Sequence, residues 1–69
     1  MYNAVLPGMA KILDIRISGT TMTLGMPPLL VEFEVEDGIR TVYLSPERFR
    51  NLMILEAFRT GKLIPIPTP

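Results

Sequence analysis

The chain has 69 residues, of which 48% are hydrophobic, with seven basic and seven acidic side chains and no Cys or His. That length allows one small domain. The missing Cys and His exclude disulfide frameworks, the common zinc sites, a histidine base and a thiol nucleophile.

The hydropathy and the distribution of charge indicate what the chain contacts and where it is located. The mean hydropathy of +0.32 is high for so short a chain, and a small domain cannot bury all of that apolar surface, so we expect a partner to cover part of it. Residues 1–38 carry two basic and five acidic side chains, whereas residues 39–69 carry five basic and two acidic. The start lacks a basic region, and no apolar run approaches the roughly 18 residues of a membrane span. The sequence therefore predicts a cytoplasmic protein with no membrane contact.

The first part of the chain predicts strands. Residues 2–6 form a short candidate strand before the Pro7-Gly8 turn, and residues 11–18 alternate between apolar and polar side chains. The apolar face of this second strand consists of Leu13, Ile15 and Ile17, with Ile12 as the exception. Residues 20–24 are a further candidate strand, and the prolines of residues 25–28 predict a loop.

Residues 29–44, "LLVEFEVEDGIRTVYL", predict a β-hairpin. Asp37-Gly38 fits a two-residue type I′ turn, which would pair Phe33 with Val42 and Val31 with Leu44. The predicted inner face is Val31, Phe33, Val35, Val42 and Leu44, and the outer face is Glu32, Glu34, Glu36, Thr41 and Tyr43. Alternate strand residues lie roughly 6.6–7 Å apart, so the glutamates make a poor cage for a divalent ion, which needs several converging oxygens. We interpret them as a solvated sheet face, with an acidic docking strip as the alternative.

Residues 46–60 predict one helix. Ser45 is a favourable N-cap, Pro46 suits the first helical position, and Gly61 is a natural stop. Residues 63–69, "LIPIPTP", predict an extended Pro-rich tail or linker after a domain of residues 1–62.

The predicted helix has apolar residues on two sides. The side facing the sheet would hold Phe49, Met53, Ala57, Ile54 and Phe58. The opposite side carries a stripe of Arg48, Leu52, Leu55, Arg59 and Lys62, although an exposed helix back is normally polar. Two explanations stay open: the leucines anchor a partner, or another segment of the chain covers them.

Residues 41–67, "TVYLSPERFRNLMILEAFRTGKLIPIP", resemble a module of replication proteins of phages and mobile elements. In those proteins a strand ends in an "LSP" cap, a helix carries "F...EAF", and a "G" leads into a proline-containing segment. The resemblance implies that the domain is one module of a larger nucleic-acid-processing protein. It assigns no functional residue.

The predicted fold class is α+β: a small antiparallel sheet of three to four strands, one C-terminal helix packed on it, and an extended Pro-rich tail. An SH3-like small barrel with a terminal helix is the alternative. We expect a non-catalytic interaction module of an accessory, viral or mobile-element protein, without cofactor, metal or small-molecule substrate. Its partner would be another protein or a second copy, bound by Leu52, Leu55, Arg59, Arg48 and Lys62. The alternative is a nucleic-acid-binding domain that uses Arg48, Arg50, Arg59 and Lys62.

Overall fold

The computed structural model describes residues 5–17 and 28–68. Its elements, in chain order, are β1 (Met9–Ile17), β2 (Leu29–Val35), β3 (Gly38–Leu44), α1 (Pro46–Asn51), α2 (Ile54–Thr60) and β4 (Leu63–Pro65). The predicted strand 20–24, most of the loop 25–28 and residues 2–4 of the first candidate strand lie outside the described residues.

The four strands form one antiparallel sheet in the order β3-β2-β1-β4. This confirms the α+β class and the small antiparallel sheet. The strands β3 and β4 lie at opposite edges of the sheet, and the described helices follow β3 in the chain.

The hairpin of β2 and β3 is confirmed, but its predicted register is wrong by two residues. The turn consists of Glu36 and Asp37, and Gly38 already pairs with Val35. Gly38 has a φ of 148°, a conformation that residues with a side chain rarely adopt, whereas Asp37 has no positive φ and a type I′ turn does not form.

A shift of two residues leaves every side chain on its predicted face, because faces alternate with a period of two. Phe33 now lies opposite Arg40, and Val31 lies opposite Val42. The side chains of Val31, Phe33, Val35 and Leu44 are buried, and Val42 packs against the same core.

Strand β1 departs from its predicted alternation at a β-bulge. The register shifts between Ile12 and Asp14, so Leu13 is the extra residue. Ile12, the exception in the simple pattern, is a core residue that pairs with Phe33, whereas Leu13 is exposed. After the bulge, Ile15 returns to the inner face opposite Val31.

The predicted single helix 46–60 is wrong, because the chain breaks at Leu52 and Met53 into α1 and α2. Strand β4 lies within the segment predicted as a tail. It pairs antiparallel with β1, Ile64 opposite Ala10, and beyond it the Ile66 N–H donates to the Gly8 carbonyl oxygen at 3.1 Å. The part of the tail up to Ile66 therefore belongs to the sheet.

The core lies between the inner face of the sheet and the two helices. Phe33, Leu44, Ile54 and Val31 are its largest fully buried side chains. No polar or charged side chain is buried among the described residues, and those residues leave no buried side-chain polar atom without a hydrogen-bond partner. The fold thus rests on apolar packing and backbone pairing.

Candidate protein-interaction surface

Helix α1 begins where the sequence predicts. The Ser45 hydroxyl accepts a hydrogen bond from the Arg48 N–H at 3.2 Å, Pro46 opens the helix, and Glu47 lies in its first turn. This arrangement satisfies one of the free N–H groups of the helix start and complements the helix dipole. It fixes α1 directly after the buried Leu44 at the end of β3.

The break after α1 changes which apolar side chains of residues 46–60 face the core. Met53 adopts the left-handed conformation, with φ 56° and ψ 42°, and is the one non-glycine residue with positive φ in the described chain. Leu52 and Ile54 would point about 200° apart on a continuous helix, at about 100° per residue. With the break between them, Leu52 packs against the core and Ile54 is fully buried. Two apolar pairs spaced i, i+3 therefore reach the core. Phe49 of α1 and Leu52, which directly follows α1, form the first pair, and Ile54 and Ala57 of α2 form the second.

Helix α2 ends at Gly61 as predicted. Gly61 is left-handed with a φ of 73°, and the Lys62 N–H donates to the Ala57 carbonyl oxygen at 3.1 Å, the outer bond of a Schellman motif. The chain then turns back along β1 as β4, so the residues after α2 run beside the helices.

These local structures change which predicted residues are accessible. Leu52 is partly buried against the core, so it is not the exposed anchor that the continuous helix predicted. Leu55 is exposed at 51%, and Arg59 is exposed as well. Sequence reasoning missed Met53 and Phe58, which it placed against the sheet but which are 65% and 41% exposed. No Gly or Pro marks the break, although the excess of apolar residues on both sides indicated that one straight helix could not bury them.

One side of α2 presents a small apolar surface with a cation. Leu55, Phe58 and Arg59, which we call the α2 flank, are spaced i, i+3 and i+4 and therefore lie together. The buried Ile54 and Ala57 occupy the side that faces the core. The flank is therefore exposed although the helix is already packed on its sheet.

A second feature is an open groove of about 350 Å³ between the helices and the segment 62–68. Arg48, Leu52, Glu56 and Lys62 line it together with the prolines at 65 and 67. The structure thus brings together three of the predicted partner-binding residues, Arg48, Leu52 and Lys62, whereas Leu55 and Arg59 do not line this groove. The groove mixes both signs of charge, whereas the α2 flank carries one cation.

The cations proposed for nucleic acid all lie on the helices or just after them. Arg50, Arg59 and Lys62 are exposed, and Arg48 is half-buried. The sheet carries the acidic residues on its outer face, where Glu34 lies opposite Lys11, Glu32 lies opposite Asp14, and the Arg16 Nε is 3.1 Å from the Asp14 Oδ2. The helices and Lys62 carry four cations against Glu47 and Glu56. The outer face of β1 and β2 carries Asp14, Glu32 and Glu34 against Lys11 and Arg16, so the helical side is the more basic one.

Of the three glutamates predicted on the outer strand face, two lie there and the third does not. Glu32 and Glu34 are half-buried on the outer face, while Glu36 is exposed in the hairpin turn. Over residues 5–17 and 28–68, no three carboxylates converge in a way that could hold a metal ion. An exposed ion pair such as that of Arg16 and Asp14 adds little to stability.

Comparison with protein-family models, with curated proteins and with solved structures gives no match. None of the helices in the described part of the chain has the length and apolar character needed to cross a membrane.

Proposed function

We propose that the chain is a non-catalytic protein-interaction module that binds a protein partner through the α2 flank and also associates with itself. The observation that carries the proposal is the exposure of Leu55 and Phe58, at 51% and 41%, on a helix whose inner side is filled by Ile54 and Ala57. The fold does not need these two side chains for its core, so their apolar surface is available to a partner.

The chemistry of the α2 flank defines the partner. Full burial of a Leu or Phe side chain is worth about 1.5–3 kcal/mol, and this pair starts half-exposed, so the flank supplies a central apolar contact. Arg59, the third residue of the flank, favours a carboxylate on the facing surface, through a charge-assisted bond that can be bidentate. The expected partner presents an apolar patch bordered by acidic residues. The resemblance of residues 41–67 to replication modules supports placing that partner in the machinery of a virus or mobile element.

The test compares two double variants, each of which replaces one aliphatic and one aromatic side chain by aspartates. Leu55→Asp/Phe58→Asp places two carboxylates on the α2 flank. Ile39→Asp/Tyr43→Asp places two on β3, where the native side chains are 63% and 59% exposed. Both are first checked for folding by far-UV circular dichroism and by their unfolding midpoints.

Each immobilised chain is then used to capture proteins from an extract of the source cells, with quantitative mass spectrometry as the readout. We expect a partner that the wild type and the β3 variant retain and that the α2-flank variant loses. Equal capture by all three chains, or loss only with the β3 variant, would refute a role for the α2 flank.

A second function, nucleic-acid binding, is favoured by the division of charge. Arg48, Arg50, Arg59 and Lys62 gather on the helical side, while Glu32 and Glu34 lie on the outer face of the sheet. Glu47 and Glu56 on the helices and Lys11 and Arg16 on the sheet reduce this difference in charge. The remaining excess of cations would direct the helical side toward a phosphate backbone.

Fluorescence anisotropy with labelled single-stranded and duplex DNA tests this second function. Each cation that contacts a phosphate contributes a slope of about −0.9 to the plot of log affinity against log salt for duplex DNA. We expect Arg50→Gln and Arg59→Gln each to weaken binding and to flatten that slope, and the control Lys11→Gln on the sheet to leave both unchanged. No anisotropy change at low salt with either DNA would exclude this function.

A further inference from the structure

The two edges of the sheet differ in their capacity to accept another strand. Strand β4 is three residues long, contains Pro65 and is followed by Pro67, and neither proline has an N–H to donate. Short strands and prolines are devices that protect a sheet edge from pairing. Strand β3 has seven residues, no proline and one charged side chain, Arg40. Strand β4 itself is therefore protected, although it covers only Met9, Ala10 and Lys11 of β1. Among the described residues, β3 is the edge strand that is open along its whole length.

The backbone of β3 has unused pairing capacity within the described chain. Its N–H and C=O groups point alternately toward β2 and away from it, as in any antiparallel strand. In the strand order β3 has β2 as its one neighbour, so among residues 5–17 and 28–68 the outward-pointing groups have no strand partner. Ile39 and Tyr43 lie on the outer face of this strand and are 63% and 59% exposed, and Thr41 between them is also exposed.

We propose that the β3 edge binds β3 of a second copy of this chain, antiparallel, about a twofold axis through Thr41. The two sheets then continue into one sheet, and both sets of helices lie on the same side of it. This inference rests on the self-association part of the proposed function and names its surface, which is separate from the α2 flank.

The residues of β3 favour a second copy as the occupant and fix its register. Pairing centred on Thr41 is the register in which all seven residues of both strands are paired. In this register Ile39 of each copy lies opposite Tyr43 of the other copy. Such aliphatic–aromatic cross-strand pairs are favourable. The register also places Arg40 opposite Val42. A slip to a centre at Arg40 would set the two arginines opposite each other, which disfavours that register.

The twofold symmetry of the contact limits the assembly to two copies. Pairing of identical edges about a twofold axis uses up the open edge of each chain, so it closes instead of propagating.

Sedimentation equilibrium of the full chain, from micromolar to millimolar concentration, tests the proposal. We expect a reversible monomer–dimer equilibrium, with no larger species. Ile39→Asp/Tyr43→Asp, which opposes carboxylates across the axis, should be monomeric throughout. Leu55→Asp/Phe58→Asp should dimerise with a dissociation constant within a factor of two of the wild type.

A cysteine cross-link tests the register without relying on a disruptive variant. The natural sequence has no Cys, so Thr41→Cys introduces a single thiol. Residues directly opposite in an antiparallel pair have Cβ atoms about 4.5–5.5 Å apart, close enough for a disulfide after small adjustment. Under mild oxidation by copper phenanthroline, Thr41→Cys should form a disulfide-linked dimer at least tenfold faster than the control Thr60→Cys on the end of α2.

Three results would overturn the proposal: a wild type that stays monomeric up to millimolar concentration, assembly beyond the dimer, or equal cross-linking at positions 41 and 60. Partner capture by the Ile39→Asp/Tyr43→Asp variant keeps the two ideas distinguishable. If that variant still captures the partner while the wild type is monomeric, the β3 edge fails and the α2 flank stands. If the dimer forms and no chain captures a partner through the flank, the β3 edge stands and the α2 flank fails.

Discussion

The left-handed Met53 gives the sharpest test of the break between α1 and α2. Its side chain is 65% exposed, so replacing it removes little packing and mainly probes the backbone. A residue with a Cβ in this conformation costs roughly 1–2 kcal/mol, a cost that Gly avoids. Gly in turn loses about 0.4–1 kcal/mol through the greater freedom of its unfolded chain. Met53→Gly should therefore be more stable than Met53→Ala by about 0.5–1 kcal/mol.

The matched control is Glu56, an exposed residue within α2. There the ordinary helical preference applies, and Glu56→Gly should be less stable than Glu56→Ala by about 1 kcal/mol. The four variants are compared by urea unfolding followed at 222 nm by circular dichroism, with a common slope required for a valid comparison. If Gly is also the worse residue at position 53, Met53 is helical in solution and residues 46–60 form the continuous helix that the sequence predicted.

Three further perturbations test the caps and the core, each by the same urea unfolding. Ser45→Ala removes the acceptor for the Arg48 N–H and should cost about 1 kcal/mol, whereas Ser45→Asp, which can still accept, should cost much less. Gly61→Ala should lower the free energy of unfolding by about 1 kcal/mol, because the φ of 73° is unfavourable for Ala. The cost would not be a clash, since an added Cβ would meet nothing within 4 Å. Equal stability of the two proteins would show that the left-handed cap does not form. Ile54→Val removes one methylene from a fully buried site and should cost about 0.5–1.5 kcal/mol, whereas Ile39→Val, on an exposed side chain, should stay within about 0.5 kcal/mol.

The sequence predicts the faces of the hairpin better than its register. Alternation in β2 and β3 identifies Phe33 and Leu44 as core residues, and the structure buries both. Turns at Asp37-Gly38 and at Glu36-Asp37 differ by two residues in pairing and therefore leave the same side chains inside. The hydrophobic pattern cannot separate the two turns, and the choice depends on the backbone conformation of Gly38.

The helical region was predicted well at its ends and poorly in its middle. Ser45 and Gly61 have local chemistry that ends a helix whatever surrounds it. The break at Met53 has no such local cause, because it is favoured by the burial of both Leu52 and Ile54 against the sheet. Of the predicted partner-binding residues, Leu55 and Arg59 are accessible as expected, while Leu52 contributes to the core. The pairing of β4 with β1 likewise depends on contacts between distant parts of the chain.

The sequence distance between β1 and β4 also has a consequence for the order in which the fold assembles. The β2–β3 hairpin closes across two residues, whereas the pairing of Lys11 with Leu63 must bring together segments separated by most of the domain. The entropy lost in closing a loop rises with its length, so local pairs form first and distant pairs later. Strand β4 has three residues, one of them Pro65, and is followed by Pro67, so it also gains few hydrogen bonds on docking. We therefore expect its amides to exchange with solvent through a local opening that leaves the hairpin intact. The same opening would leave residues 9–11 of β1 without their partner strand.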